Sequence, residues 1–143
     1  MGGNVHFMKL TENPFERIHS GHKKMELRLY DSKRRGLDLD DYIIFRKLPD
    51  ETDEVAVRVR SLHRYKSFRE LFKELPKEQL GIALGLSVDE AVKNMREYYS
   101  ESDEKRYGVL GIGIELCDPE MVYLRLEQIC EAEHERYFPD GVK

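Results

Sequence analysis

Lys23, Glu26 and Arg28 are the residues of this sequence whose types and spacing could do chemistry, and Gly21 stands just ahead of them. Residues two apart in a strand leave the same side. If the chain is extended here, Glu26 and Arg28 therefore share a face, with Lys23 in the turn before it. An arginine so placed can hold a phosphate or a carboxylate in a fork. A carboxylate beside it can orient a lysine or act as a base, and a lysine stripped of water can serve as cation or nucleophile. The same spacing also describes an exposed Glu–Arg pair beside a loop lysine, which contributes little to stability. What decides between the two readings is the set of elements that holds the stretch.

Upstream, Asn13-Pro14-Phe15-Glu16 reads as a helix start, with Asn13 as cap, Pro14 at the first helical position and Glu16 reaching back in a capping box. The helix runs to Ser20 and Gly21 ends it. From Lys24 the pattern changes to period two, with Met25, Leu27 and Leu29 on one face and Lys24, Glu26, Arg28 and Tyr30 on the other. Val5–Leu10 alternates as a first strand. Beyond a cationic turn at Asp31–Gly36, two strands, Tyr42–Leu48 and Glu54–Leu62, flank a short polar gap and read as a hairpin. Ser67 and Ser87 each open a capped helix, the first stopped by Pro76. Gly81–Leu86 reads as an apolar loop over the core, Ser100–Lys105 as a charged loop, and Tyr107–Leu116 as a strand. Gly111 and Gly113 within that strand suggest close backbone approach. They are no phosphate loop, because no helix follows. A last helix begins at Asp118-Pro119.

Gly21, Lys23, Glu26 and Arg28 fit the pattern G-x-K-x-x-E-x-R, which resembles the signature of the ASCH domains, a branch of the PUA-like superfamily of small β-barrels. The order of elements agrees over roughly residues 5 to 116. The resemblance implies an α+β fold, a small and mostly antiparallel barrel flanked by short helices, and the C-terminal helix lies outside the span it covers. Residues 1–117 would form the domain, and 118–143 an extension packed on it or at a homodimer contact. It also implies that the motif lies in the cleft proposed to bind nucleic acid in such domains.

Composition bounds the function. The chain has 143 residues, 36% of them charged, and a net charge of −4, so it is one domain's worth and no wholly basic nucleic-acid binder. A local basic cleft remains compatible with that balance. Lys33, Arg34, Arg35, Arg58, Arg60, His63, Arg64 and Lys66 supply cations, with Tyr30, Tyr42 and Tyr65 among them. Arginines interleaved with aromatic rings can grip single-stranded or looped RNA by neutralising phosphates and stacking bases. Taken singly, each of these cations also reads as part of a solvated face. Cys117 and Cys130 stand apart with no histidine at ligand spacing, so neither a disulfide framework, a metal site nor a cofactor is expected, and a reducing cytoplasmic setting is. No apolar run is long enough to span a membrane. His19 and His22 bracket Gly21 and read as surface groups, as does His134 among its glutamates.

These readings converge on an RNA-binding module. Its expected ligand residues are Gly21, Lys23, Glu26, Arg28, Tyr30, Arg58 and Arg60, and its partner is RNA or a nucleotide-like ligand. The alternative is a small hydrolase with Lys23 and Glu26 as catalytic groups, acting on RNA or on an acylated cytidine nucleoside. Some ASCH proteins remove such an acyl group with a lysine, a threonine and a glutamate. Here Glu26 stands at the threonine position, and the stretch from Ile82 to Leu86 offers no glutamate.

Overall fold

The computed structural model describes residues 2–82 and 85–137, with side chains as far as Glu133. The middle of the Gly81–Leu86 loop and the side chain of His134 lie outside the described residues. The elements run β1 (Val5–Leu10), α1 (Glu12–His19), β2 (Met25–Leu29), β3 (Tyr42–Lys47), β4 (Glu54–Tyr65), α2 (Phe68–Glu74), α3 (Lys77–Leu80), α4 (Val88–Met95), α5 (Glu101–Tyr107), β5 (Val109–Cys117) and α6 (Pro119–Tyr137).

The five strands form one sheet in the order β1-β3-β4-β5-β2. Where a mostly antiparallel barrel was expected, the sheet is mixed and curls into a half-barrel. β1 runs parallel to β3, Val5 opposite Tyr42, while β3–β4, β4–β5 and β5–β2 are antiparallel. The reason is the length of chain between β1 and β3. It holds α1, β2 and a 3-10 turn, room enough for the crossover that a parallel return needs. The expected hairpin is β3–β4, with Ile43 opposite Val57. β4 is a long strand that pairs β3 with its first half and β5 with most of its length. A bulge between Val59 and Ser61 bends it, and such bends let one sheet wrap on itself.

The concave side of the curl holds the largest core. Ile43 and Phe45 of β3, Val57 and Val59 of β4, and Leu110 and Ile112 of β5 meet Phe15 and Ile18 of α1 there. On the convex side, Met25, Leu27 and Leu29 of β2 pack under α2 and its neighbours through Phe68, Leu71 and Phe72. Gly111 lies beneath the same layer, where a Cβ would come within 3.1 Å of the Met25 sulfur. The glycine in β5 therefore serves helix packing. Elsewhere on the convex side α6 covers β3 and β4, with Val122 fully buried against Tyr42, Ile44 and Ala56.

Three local expectations change. α1 begins at Glu12 behind Thr11, which makes no side-chain cap bond, and Glu16 reaches Lys47 instead of closing a capping box. Ser67 caps α2 as expected, but the Glu70 carboxylate accepts from the Lys66 N–H, one residue before the cap. The charged run after Ser100 is helix α5. The Ser100 hydroxyl caps it, and Glu101, Asp103 and Glu104 fill its first turn, where the helix dipole favours anions. The side chain it buries is Glu104, so no apolar stripe marks it in the sequence. The complete capping box is at Ser87–Glu90.

Candidate functional site

The register of β2 on β5 decides the chemistry of the motif. Glu26 lies opposite Ile112 and Arg28 opposite Leu110. Directly opposed residues share a face, so both charged side chains point with Ile112 and Leu110 into the concave side of the half-barrel. The other face of β2 is taken by the helices. Both faces of β2 are thus covered, and Glu26 is only 3% exposed. The reading of an exposed Glu–Arg pair does not hold.

A buried carboxylate needs partners, and Glu26 has two. Its Oε1 accepts from Lys23 Nζ at 2.8 Å and its Oε2 from Arg28 Nε at 2.9 Å. Arg28 also donates through Nη2 to the main-chain oxygen of Lys9 at 2.8 Å. Burial alone would raise the Glu26 pKa. The charges and hydrogen bonds of Lys23 and Arg28 outweigh it and hold the carboxyl below its ordinary value. The centre is therefore an anion between two cations, with net charge +1.

Lys23 is placed by backbone. Gly21 turns the chain out of α1 with φ +83°, a conformation that favours glycine, and its N–H donates to Ile18 O. Lys23 N then donates to Arg17 O at 3.0 Å, and Lys24 N to Gln79 O in α3. Arg17 Nη1 reaches Gly81 O, and Gly81 lies against the Lys23 side chain. The stem of Lys23 is thus pressed between two helix ends and its amine is aimed at Glu26.

Above this cluster lies a cavity of about 240 Å³. Lys23, Glu26 and Arg28 form its polar end. Leu10, Pro14, Leu27 and Leu48 give it apolar walls, Lys9 and Thr11 line its rim, and Met95 at the end of α4 with Tyr98 and Tyr99 just after it closes the cavity. Tyr99 stacks on the fully buried Phe68, ring centroids 5.7 Å apart, and burial raises its phenol pKa. Tyr98 leaves 53% of its surface exposed. The Tyr98–Tyr99 wall is held by Glu104, which accepts from Phe68 N at 2.6 Å and from Arg96 Nη2.

Of the expected ligand residues, Lys23, Glu26 and Arg28 come together here. Gly21 shapes the turn and lines a neighbouring hollow that Lys23 and Arg60 also reach. Arg58 and Arg60 are elsewhere on β4, where Asp40 and Glu115 take up their charge. Arg60 binds both at 3.1 and 3.0 Å, and Arg58 lies 3.5 Å from Asp40 and over the Tyr42 ring. Tyr30 faces a separate groove, its ring covered by Arg64 and Arg35. Tyr30 lies one residue past the end of β2 and packs beside the concave core, away from the Glu26 cavity. His22 binds Ser20 and His19 stacks on Phe15, both outside the cavity. The sequence reading missed the aromatic wall because Ala91, Val92, Met95 and Tyr99 recur at helical spacing, so Tyr99 reads as part of an apolar helix stripe. The adjacent Tyr98, apolar but off that stripe, is the signal that was available.

A family model described as ASCH domain matches residues 8–118. The chain is 38% identical to the hypothetical protein PH0355, known from a crystal structure, over 79% of this chain and 99% of that one, with a TM-score of 0.68. It is 37% identical to protein PF0455 from Pyrococcus furiosus, known from a solution NMR structure, over 80% of this chain and 98% of that one, with a TM-score of 0.60. No curated protein matches. Among the described residues no helix is long and apolar enough to cross a membrane.

Proposed function

The chain belongs to the ASCH domain family, a family linked to nucleic-acid binding, and from that premise we propose that it binds RNA by taking one unstacked base, with its sugar, into the cavity over Glu26. The observation that carries this reading is the joining of a buried Lys23–Glu26–Arg28 cluster to a wall made by Tyr98 and Tyr99. RNA readers splay single bases out, stack them on aromatic rings and hydrogen-bond their edges. Size agrees. A cavity of about 150 Å³ holds benzene, so about 240 Å³ suits one heterocycle and excludes a folded oligonucleotide.

The same cluster weighs against hydrolysis. A carboxylate held below its ordinary pKa is a weak base at neutral pH, and both Glu26 oxygens are already engaged. Glu26 acts instead as the fixed anion that orients Lys23 and Arg28 toward the ligand.

The test is fluorescence anisotropy of labelled single-stranded RNA with wild type and Lys23→Ala, followed by a denaturing gel of the same samples. Saturable binding that needs Lys23 and leaves the RNA intact is expected. RNA shortened by wild type and spared by Lys23→Ala would replace the reading with a nuclease. Equal binding by both proteins would remove the cavity from the account.

A further inference from the structure

A second groove, of about 710 Å³, opens where β4 ends and β5 begins, and the motif does not use it. Arg64, Lys66, Lys105 and Arg106 line it and are all exposed. Among the described residues none of the four forms an ion pair, in a chain whose net charge is −4. Glu70 is the one carboxylate lining the groove, and it accepts from the Lys66 main chain. By contrast, the cations of the motif are both paired with Glu26, and Arg58 and Arg60 with Asp40 and Glu115.

The arginines here are held by rings. The Arg64 guanidinium lies 4.0 Å from the Tyr30 ring centroid and Arg35 lies 5.4 Å from the same centroid, while Arg106 lies 5.1 Å from that of Tyr107. A guanidinium resting on a ring has lost part of its rotamer freedom before any ligand arrives. It keeps its N–H donors for phosphate oxygens, and its plane can carry a base. The floor is main chain, with Tyr30 N donating to Gly108 O.

Between β1 and Arg28, a hollow shares Lys9 and Arg28 with the cavity and adds Lys33 and Arg34, the latter paired with Asp31 at 3.2 Å, and the next residue, Arg35, lies over the Tyr30 ring that lines the groove.

Resting on the reading of the cavity as an RNA-base site, we infer that this groove is a second binding site, which takes the phosphate backbone of the single-stranded RNA flanking the captured base. The strand would run along the β2 flank, from Arg28 past Arg34 and Arg35 to Arg64 and Arg106.

The test compares wild type, the combined variant Arg64→Ala/Lys66→Ala/Lys105→Ala/Arg106→Ala, and Lys23→Ala. Each is titrated with labelled oligouridylate across a salt series, with uridine monophosphate by calorimetry, and checked for an unchanged circular dichroism melt. The combined variant is expected to lose about tenfold or more in oligonucleotide affinity and to lower the slope of log K on log salt by roughly 3, while its mononucleotide binding stays as in wild type. Unchanged affinity and slope in the combined variant, with Lys23→Ala impaired, would overturn the groove and leave the cavity reading in place. Impairment of the combined variant alone would uphold the groove and remove the cavity. Displacement of the RNA by oligoglutamate as readily as by unlabelled RNA would identify an acidic-protein surface and overturn the assignment.

Discussion

Arg28 donates to the main-chain oxygen of Lys9 at 2.8 Å, and with that bond a side chain of β2 spans to β1. These are the two edge strands of the half-barrel, and they do not pair with each other. The residue that would contact the ligand is therefore also a tie across the open side of the fold.

Arg28→Ala should accordingly lower stability as well as binding. It leaves the buried Glu26 with Lys23 alone and frees the Lys9 carbonyl. The expected cost is on the order of 2–3 kcal/mol, read as a lower urea midpoint with an unchanged slope. A loss of RNA affinity in this variant is meaningful only at denaturant and temperature settings where it remains folded, which is why Lys23→Ala is the cleaner probe of binding.

Glu26 makes stability depend on pH at the acid side. Its folded pKa lies below the unfolded value, so its contribution is complete above the unfolded value of about 4.5 and is lost as pH falls through the lower folded value. Melting temperatures of wild type and Glu26→Gln should differ by a constant amount at neutral pH and draw together below about pH 4.5. A difference that keeps its full size throughout the acid range would show that Glu26 is not held ionised by Lys23 and Arg28.

Tyr98 offers a test of the wall with little risk to the fold, since more than half of its surface is exposed. Tyr98→Ala should leave the melt within about 0.5 kcal/mol of wild type. It should cost about 1–3 kcal/mol of RNA affinity if a base stacks there, measured by anisotropy.

Glu104→Ala acts on the same wall from behind. It strips the Phe68 N–H and Arg96 of their acceptor at a position 6% exposed. The expected result is a loss of roughly 2–4 kcal/mol in stability, with weaker binding through a displaced Tyr98–Tyr99 segment. Hydrogen exchange should show the Phe68 amide losing protection first.

Gly108 joins α5 to β5 with φ +75° and ψ −175°, a conformation open essentially to glycine alone. A Cβ there would stand 3.1 Å from the Tyr65 carbonyl oxygen. Gly108→Ala should therefore cost roughly 1–3 kcal/mol in a denaturation experiment.

Much of this molecule is legible locally. The β3–β4 hairpin, the Ser87–Glu90 capping box and the turn at Gly21 each depend on residues a few positions apart, and the chain forms each where the sequence places it. Alternation along β2 likewise puts Glu26 and Arg28 on one side, whatever the rest of the chain does. It is silent on which way that side points. The answer came from β5, eighty and more residues later, whose register turns Glu26 toward Ile112 and the concave core. Curling of the sheet and cover by helices then buried both faces of a strand that reads as half-exposed. The parallel β1–β3 pair and the Tyr98–Tyr99 wall have the same origin. Each is set by contacts distant in sequence, and a short-range pattern of hydrophobicity and charge carries no record of such contacts.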